Sequence, residues 1–421
     1  MGLVKITFFV VLLAATASRD AVIGASAPAQ SIAAARIAQL PKARQAAWRQ
    51  YLDRSAKRME ADRTVLRAEL KAEGLAEAAI PSSGSAARSM PLGKPPEWYG
   101  SAEARRIADG IVSFQTPAGG WSKNLNVADH VRRKGESFAP NNLSHFLGPD
   151  DFDTPADPHW NYVGTLDNDA TTTELQFLAK VIGAVQDNAA YRASFLRGVE
   201  YLFAAQFPNG GWPQVWPLEG GYRDAITFND GAVTETLELL QAVAERKFPF
   251  VPAETAKRAP TRVARGIDCI LNTQITENGK RTVWGQQHDA LTLQPVAGRN
   301  YEPAAECRSE SASMILFLMI SRSRRRKCWP WFMPRWRGWN RPRFTGKRAC
   351  AAARARAWKT APMASESGRA ITKSAAGALF SGIAINPFTI RWPKFPRSGR
   401  WDIAGTTTFH KLRSITTPNG A

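Results

Sequence analysis

Three times the chain leaves a helical stretch through Gln, a short turn and Trp: Gln115-Thr-Pro-Ala-Gly-Gly-Trp121, Gln206-Phe-Pro-Asn-Gly-Gly-Trp212 and, more loosely, Gln274 to Trp284. An internal repeat is a strong constraint, because each unit can bury its apolar face only against the next one. Each copy also opens a long loop. Those loops carry Asp167-Asn168-Asp169, then Asn229-Asp230, then an isolated Arg299, a distribution that points to one composite site.

The segments between the loops have helical periodicity. Helices are predicted over Ala102 to Phe114, Thr171 to Val185, Tyr191 to Ala205, Ala232 to Ala244, Thr255 to Leu271, and from Ser309 to Met319. The second opens on Thr171-x-x-Glu174, a capping-box pattern, and sets Leu175, Leu178, Val181, Ile182 and Val185 on one stripe. Short connections (Val185 to Tyr191, Glu245 to Glu254) alternate with long ones (Thr116 to Ala170, Phe207 to Gly231, Thr273 to Arg308). Alternate connections of an up-down helical array fall at the same end, so the long loops are expected on one face of an all-α toroid.

The chain ends differ from this middle. Lys5, the apolar run Ile6 to Ala17 and the small-residue pattern Ala15-Thr-Ala17 predict a secretory signal within residues 1–27. Export to the periplasm or medium is expected, with no membrane association after cleavage. Residues 28–80 contain a helical region rich in Ala, Arg, Glu and Leu (Ile37 to Leu75), 81–96 have the Ser, Gly and Pro content of a linker, and 97–321 form the main domain.

The formal net charge of +20 would suit a nucleic-acid binder, but its location argues otherwise. Residues 322–421 hold 22 of the 56 Lys and Arg and only two acids, Glu366 and Asp402, so the rest of the chain is balanced. No nucleic-acid partner is expected, and the protein is expected to be a monomer. The tail also sets Trp329, Trp331, Trp336 and Trp339 among arginines and prolines without periodicity. Back-translated and read two nucleotides later, Cys328 to Asn340 yields an apolar helical run of nearly forced Leu, Ala and Val-type residues. A reading-frame shift after Met319 is the expectation that accounts for both features. Of the four cysteines only Cys269 and Cys307 lie outside the tail, where they are expected as buried thiols, and the five histidines have no zinc-ligand spacing.

The acidic clusters precede helices, where Asp and Asn serve as caps. On neighbouring loops they also supply the oxygens that calcium takes. Arg299 fits an ion-paired or solvated arginine as well as a functional one. Lys123 and His288 fit turn residues, and Trp121, Trp212, Trp216 and Trp284 fit either core plugs or platforms for a pyranose ring.

On longer stretches the chain resembles pectate lyases of the tenth polysaccharide lyase family. These are Gly119-Gly-Trp-Ser-Lys-Asn124, Leu166-Asp-Asn-Asp-Ala-Thr-Thr-Thr-Glu174, Gln206 to Pro217, Ala225-Ile-Thr-Phe-Asn-Asp-Gly231, Lys280 to Pro295 and Arg299-Asn-Tyr-Glu302. The resemblance covers Pro96 to Met319 and implies an (α/α)3 toroid. It further implies calcium at Asp167, Asn168 and Asp230, and Arg299 as the base of a β-elimination on polygalacturonate (pectate). Lys123, Asn124, Trp212 and His288 then become substrate-binding candidates. An arginine, with a solution pKa above about 12, serves as a base only where desolvation and nearby cations lower that value, so an alkaline optimum is expected. The family pattern continues with an Arg-Arg-x-Gly-Tyr-x-Trp-Tyr-like segment, which the shifted frame restores near Arg400 to Thr408 and the present frame lacks. The alternatives are an inverting glycoside hydrolase with Asp167 and Asp230 as acid and base, and a uronate-binding protein without activity.

Overall fold

The computed structural model describes residues 28–84, 90–143, 155, 157, 160–299 and 302–320. The expected signal segment and basic tail lie outside the described residues, all of which belong to a compact unit ending at Ala357. Eight α-helices are described: α1 (Ala34–Ala38), α2 (Lys42–Glu73), α3 (Ala102–Phe114), α4 (Thr172–Ala184), α5 (Ala189–Ala205), α6 (Ala232–Ala244), α7 (Ala253–Thr273) and α8 (Arg308–Ile320).

The helices form an all-α, (α/α)3 arrangement. Outer helices α3, α5 and α7 each lead through a long loop to an inner helix, α4, α6 and α8, and α6 lies between α4 and α8. Burial separates the two kinds. Inner α6 buries Ala232, Val233, Thr234, Thr236, Leu237, Leu239, Leu240 and Val243, which cover most of its circumference. Outer α7 buries one stripe, including Ala256, Ala259, Val263, Gly266, Ile267 and Ile270, and leaves its other face polar.

The repeat works as a latch. Trp121, Trp212 and Trp284 are fully buried, and their indole N–H groups donate to carbonyls of the preceding outer helix, Ile111 (2.6 Å), Leu202 (2.8 Å) and Ile270 (2.7 Å). Gln115 and Gln206 each donate to the carbonyl of the turn glycine, Gly119 or Gly210, and to a carbonyl of the next outer helix, Ser194 or Arg262, all at 2.9 Å. Gly119 and Gly210 have φ of 108° and 98°, and a Cβ there would come within 2.5 Å and 2.1 Å of the carbonyls of Arg197 and Arg265. In the third copy a hairpin replaces the glycine turn, with Thr276–Glu277 pairing Lys280–Arg281 around Asn278-Gly279.

The N-terminal helices pack on the toroid. Trp48 and Tyr51 of α2 meet Phe207 at ring separations of 5.4 and 5.1 Å, Tyr51 Oη donates to the Ala205 carbonyl at 2.9 Å, and Asp62 accepts from Ala118 N–H at 2.7 Å. The linker stretch also touches the main domain, where Gly84 N–H donates to the Asn124 carbonyl at 2.7 Å. Cys269 and Cys307 are both free thiols; Cys269 is buried as expected, whereas Cys307 is only half-buried. No helix among the described residues is long and apolar enough to cross a membrane.

Candidate active site

Short antiparallel contacts join the long loops. Thr165 bridges to Val215, Pro213 to Ile226, the Ile226–Thr227 strand pairs with Gln287–His288, and His288 bridges to Pro295. The loops therefore meet on one surface, as the alternating connection lengths require, and the Asp167–Asp169 turn packs against the Asn229–Gly231 turn.

Both turns are backbone-strained. Asn168, Asp169 and Asp230 have φ of 53°, 64° and 50°, a left-handed conformation that costs non-glycine residues energy and concentrates at functional sites. The capping box forms by half. The Glu174 carboxylate accepts from Thr171 N–H, but the Thr171 hydroxyl does not cap the helix: it donates to the Thr165 carbonyl (2.7 Å) and accepts from Trp121 N–H (3.2 Å).

Lys123 and Asp167 form a buried pair at 2.6 Å, with 9% and 7% side-chain exposure, and the Lys123 ammonium sits 3.6 Å from the centroid of the Tyr162 ring. Burial works against charge on both groups, yet their mutual attraction prevails: the Asp167 carboxyl is held below its usual range and the Lys123 ammonium above. The charge of Arg299 acts on both, stabilising carboxylate 167 and opposing ammonium 123. Asn124 accepts from Asn168 Nδ2 at 3.3 Å. Thus Lys123, Asn124, Asp167, Asn168 and Arg299 share one neighbourhood. Arg299 is held by Glu302, whose carboxylate takes Nη2 at 2.7 Å and Nε at 3.1 Å.

The second turn is electrostatically different. Burial, followed by the charges of Asp169, Glu238 and Asp230, pushes the Glu235 carboxyl to about 8, although Thr172 Oγ1 donates to it at 2.7 Å. Asp230 Oδ2 accepts from Asn229 Nδ2 at 2.8 Å, and Asn229 in turn accepts from Gln286 Nε2 at 3.1 Å. Carboxylates that repel each other are a suitable donor set for a hard divalent cation. Gln214, from the next loop, lies against the first turn: its backbone carbonyl accepts from Leu166 N–H at 3.0 Å, its side chain bonds Asp167, and its Oε1 is buried without a hydrogen-bond partner, as are the amide atoms of Asn161. Among the described residues no three acidic, His or Cys side chains converge into a ready-made cage, so such an ion would also need amides, carbonyls, water or substrate as ligands.

Two of the substrate-binding candidates are buried. Trp212 is 0% exposed and donates its indole N–H to the Leu202 carbonyl. His288 is also 0% exposed; Nε2 accepts from Gly285 N–H at 3.0 Å and Nδ1 donates to the Leu293 carbonyl at 2.9 Å, which leaves it as a brace of the third loop. Burial also lowers its basicity. The sequence reading missed Glu235, Tyr162 and Gln214. Glu235 had a signal, as an acid flanked on both sides by the buried Val233, Thr234, Thr236 and Leu237.

No curated protein matches the chain. Solved structures do, among them an aspartate-to-alanine mutant of a family 10 polysaccharide lyase from Cellvibrio cellulosa in complex with trigalacturonic acid, and the family 10 polysaccharide lyase from Cellvibrio cellulosa. They are 31% and 32% identical, with TM-scores of 0.44 and 0.43, over 55% of this chain. The chain spans 66% and 65% of theirs, just under two thirds of their length. Residues 115–328 match the family described as pectic acid lyase, a match that includes all three latch motifs and both acidic turns, and the chain belongs to that family.

Proposed function

We propose that the protein is a secreted, calcium-dependent pectate lyase that cleaves polygalacturonate by β-elimination, with Arg299 as base. The observation that carries this reading is the placement of Lys123, Asp167 and Arg299 beside the Asp230 turn on one surface. Family membership and the trigalacturonic acid complex of the Cellvibrio lyase support it.

Elimination breaks the C5–H and C4–O bonds and forms a C4–C5 double bond. Asp167, Asn168 and Asp230, with Asp169 and Glu235 adjoining, would hold the calcium ion. When bound, that ion would neutralise the uronate carboxylate and so acidify the C5 proton. Lys123 keeps Asp167 ionised and fixed through its Oδ2, which leaves Oδ1 to face the ion. Arg299 takes the C5 proton only after turning from Glu302 and giving up its own proton to solvent, a step that alkaline pH and nearby positive charge favour, and water protonates the departing oxygen. Glycoside hydrolysis is the poorer fit, because an aspartate held ionised by a buried lysine is ill-suited to donate a proton. The frame shift after Met319 belongs to the same proposal: it removes the substrate-facing arginines of the family pattern.

The test is polygalacturonate turnover by the chain as it stands and by one with the frame restored. Unsaturated product with ultraviolet absorbance, abolished by a chelator, is the expected result for the restored frame. Saturated product, or turnover indifferent to the chelator, contradicts the proposal.

A further inference from the structure

Between α2 and the outer helices α5 and α7 runs an open groove of about 840 Å³. Its lining includes Arg54, Arg58, Arg197, Arg258, Arg262 and Arg265 against a single acid, Glu200. A chain segment balanced in charge overall thus concentrates positive charge in one place.

Acidic partners offset only part of this charge: Arg58 acts on the buried Asp62 carboxyl, one turn along α2. Arg258 takes Glu200 at 2.6 and 3.0 Å, but Arg197 and Arg262 face the neutral Gln115 and Gln206, and Arg265 donates to the carbonyls of Phe207 and Pro208. Arg54 Nε is shielded from solvent without a hydrogen-bond partner. Burial lowers the basicity of Arg197, Arg262 and Arg265, and for Arg262 the neighbouring Arg265, Arg258 and Arg54 act in the same direction. Like charges held together at this cost are a site for a polyvalent anion.

The form of the groove selects among anions. It is far larger than one inorganic ion. Its aromatic ring, Phe203, is 1% exposed and covered by the guanidinium of Arg258 at 4.6 Å, so it offers no platform for stacking bases. Arg258, Arg262 and Arg265 stand at helical spacing along α7 opposite Arg54 and Arg58 on α2, two rows suited to carboxylates spaced along a chain. We infer that this groove binds a second stretch of polyuronate, outside the loop-face site. The identity of the ligand rests on the substrate class proposed above.

Affinity electrophoresis of the full-length protein in gels containing polygalacturonate, with a chelator present, tests this. Arg58→Glu with Arg262→Glu should weaken retardation about tenfold. Arg58→Gln with Arg262→Gln, a milder pair, should weaken it in the same direction with an unchanged melting temperature. Lys71→Glu with Arg133→Glu, an equal charge change elsewhere, should leave retardation near wild type, and the chelator removes the calcium-dependent binding of the loop-face site, so the retardation read is that of the groove. Fully methyl-esterified pectin, lacking carboxylates, should not retard the protein. Equal retardation of groove and control variants overturns the groove, and equal competition by single-stranded DNA overturns the polyuronate.

Discussion

The turns Asp167–Asp169 and Asn229–Gly231 resemble each other in sequence, backbone strain and position before an inner helix, yet their electrostatics are opposite. In the first, Asp167 has Lys123 and Arg299 as compensating cations. In the second, burial and the charges of Asp169, Glu238 and Asp230 raise the proton affinity of Glu235. Lys123 thus keeps the Asp167 carboxylate of the first turn ionised, whereas negative charge gathers around Glu235 beside the second. Both turns would hold the ion, the first with a carboxylate fixed in place and the second where a cation relieves the repulsion on Glu235.

The largest effect should come from the residue beside the compensated turn. Arg299→Ala is expected to lower turnover of the restored-frame enzyme roughly a thousandfold, with oligogalacturonate affinity largely retained in titration calorimetry; retained turnover would remove the base assignment.

The next effect separates the turns by stability. Asp167→Ala strands a buried lysine and should cost about 3–5 kcal/mol in chemical denaturation. Asp230→Ala relieves repulsion and should cost less than about 1 kcal/mol with a chelator present. Equal costs would break the comparison.

Titration should separate them by sign. Glu235 has a raised folded-state value, so the native state holds its proton more tightly than the unfolded chain. Its contribution is present at low pH and is lost as pH rises toward about 8. Stability without calcium should fall by up to about 5 kcal/mol across that range, and Glu235→Gln should flatten the profile. Asp167 has a lowered value, so its stabilisation is present above the unfolded-state range and is lost only in acid, as pH falls through its folded-state value. The smallest effect concerns the backbone. Asn168→Ala should cost about 1 kcal/mol and Asn168→Gly close to nothing, because only the first penalises the left-handed conformation.

Much of this molecule was legible in the chain. Ala102–Phe114 and Ala232–Ala244 coincide with their predicted spans, since apolar periodicity and loop composition agree there. Connection lengths also placed the long loops together. Less legible was the burial of the repeated residues: Trp212 has counterparts in Trp121 and Trp284, and all three bond the preceding helix in the same way, as parts of the repeat. His288 was misplaced because its motif lies in the right loop while its ring points into it. The hairpin at Asn278-Gly279 had a direct turn signal, but the repeat drew attention to its flanks instead. Glu235 was passed over because an inner helix looks like pure core until the facing turn is known.

The most direct test is calorimetric titration of calcium into the full-length protein with oligogalacturonate present. The account predicts binding that weakens at least about tenfold in Asp230→Ala. Calcium binding of wild-type strength in that variant would contradict it.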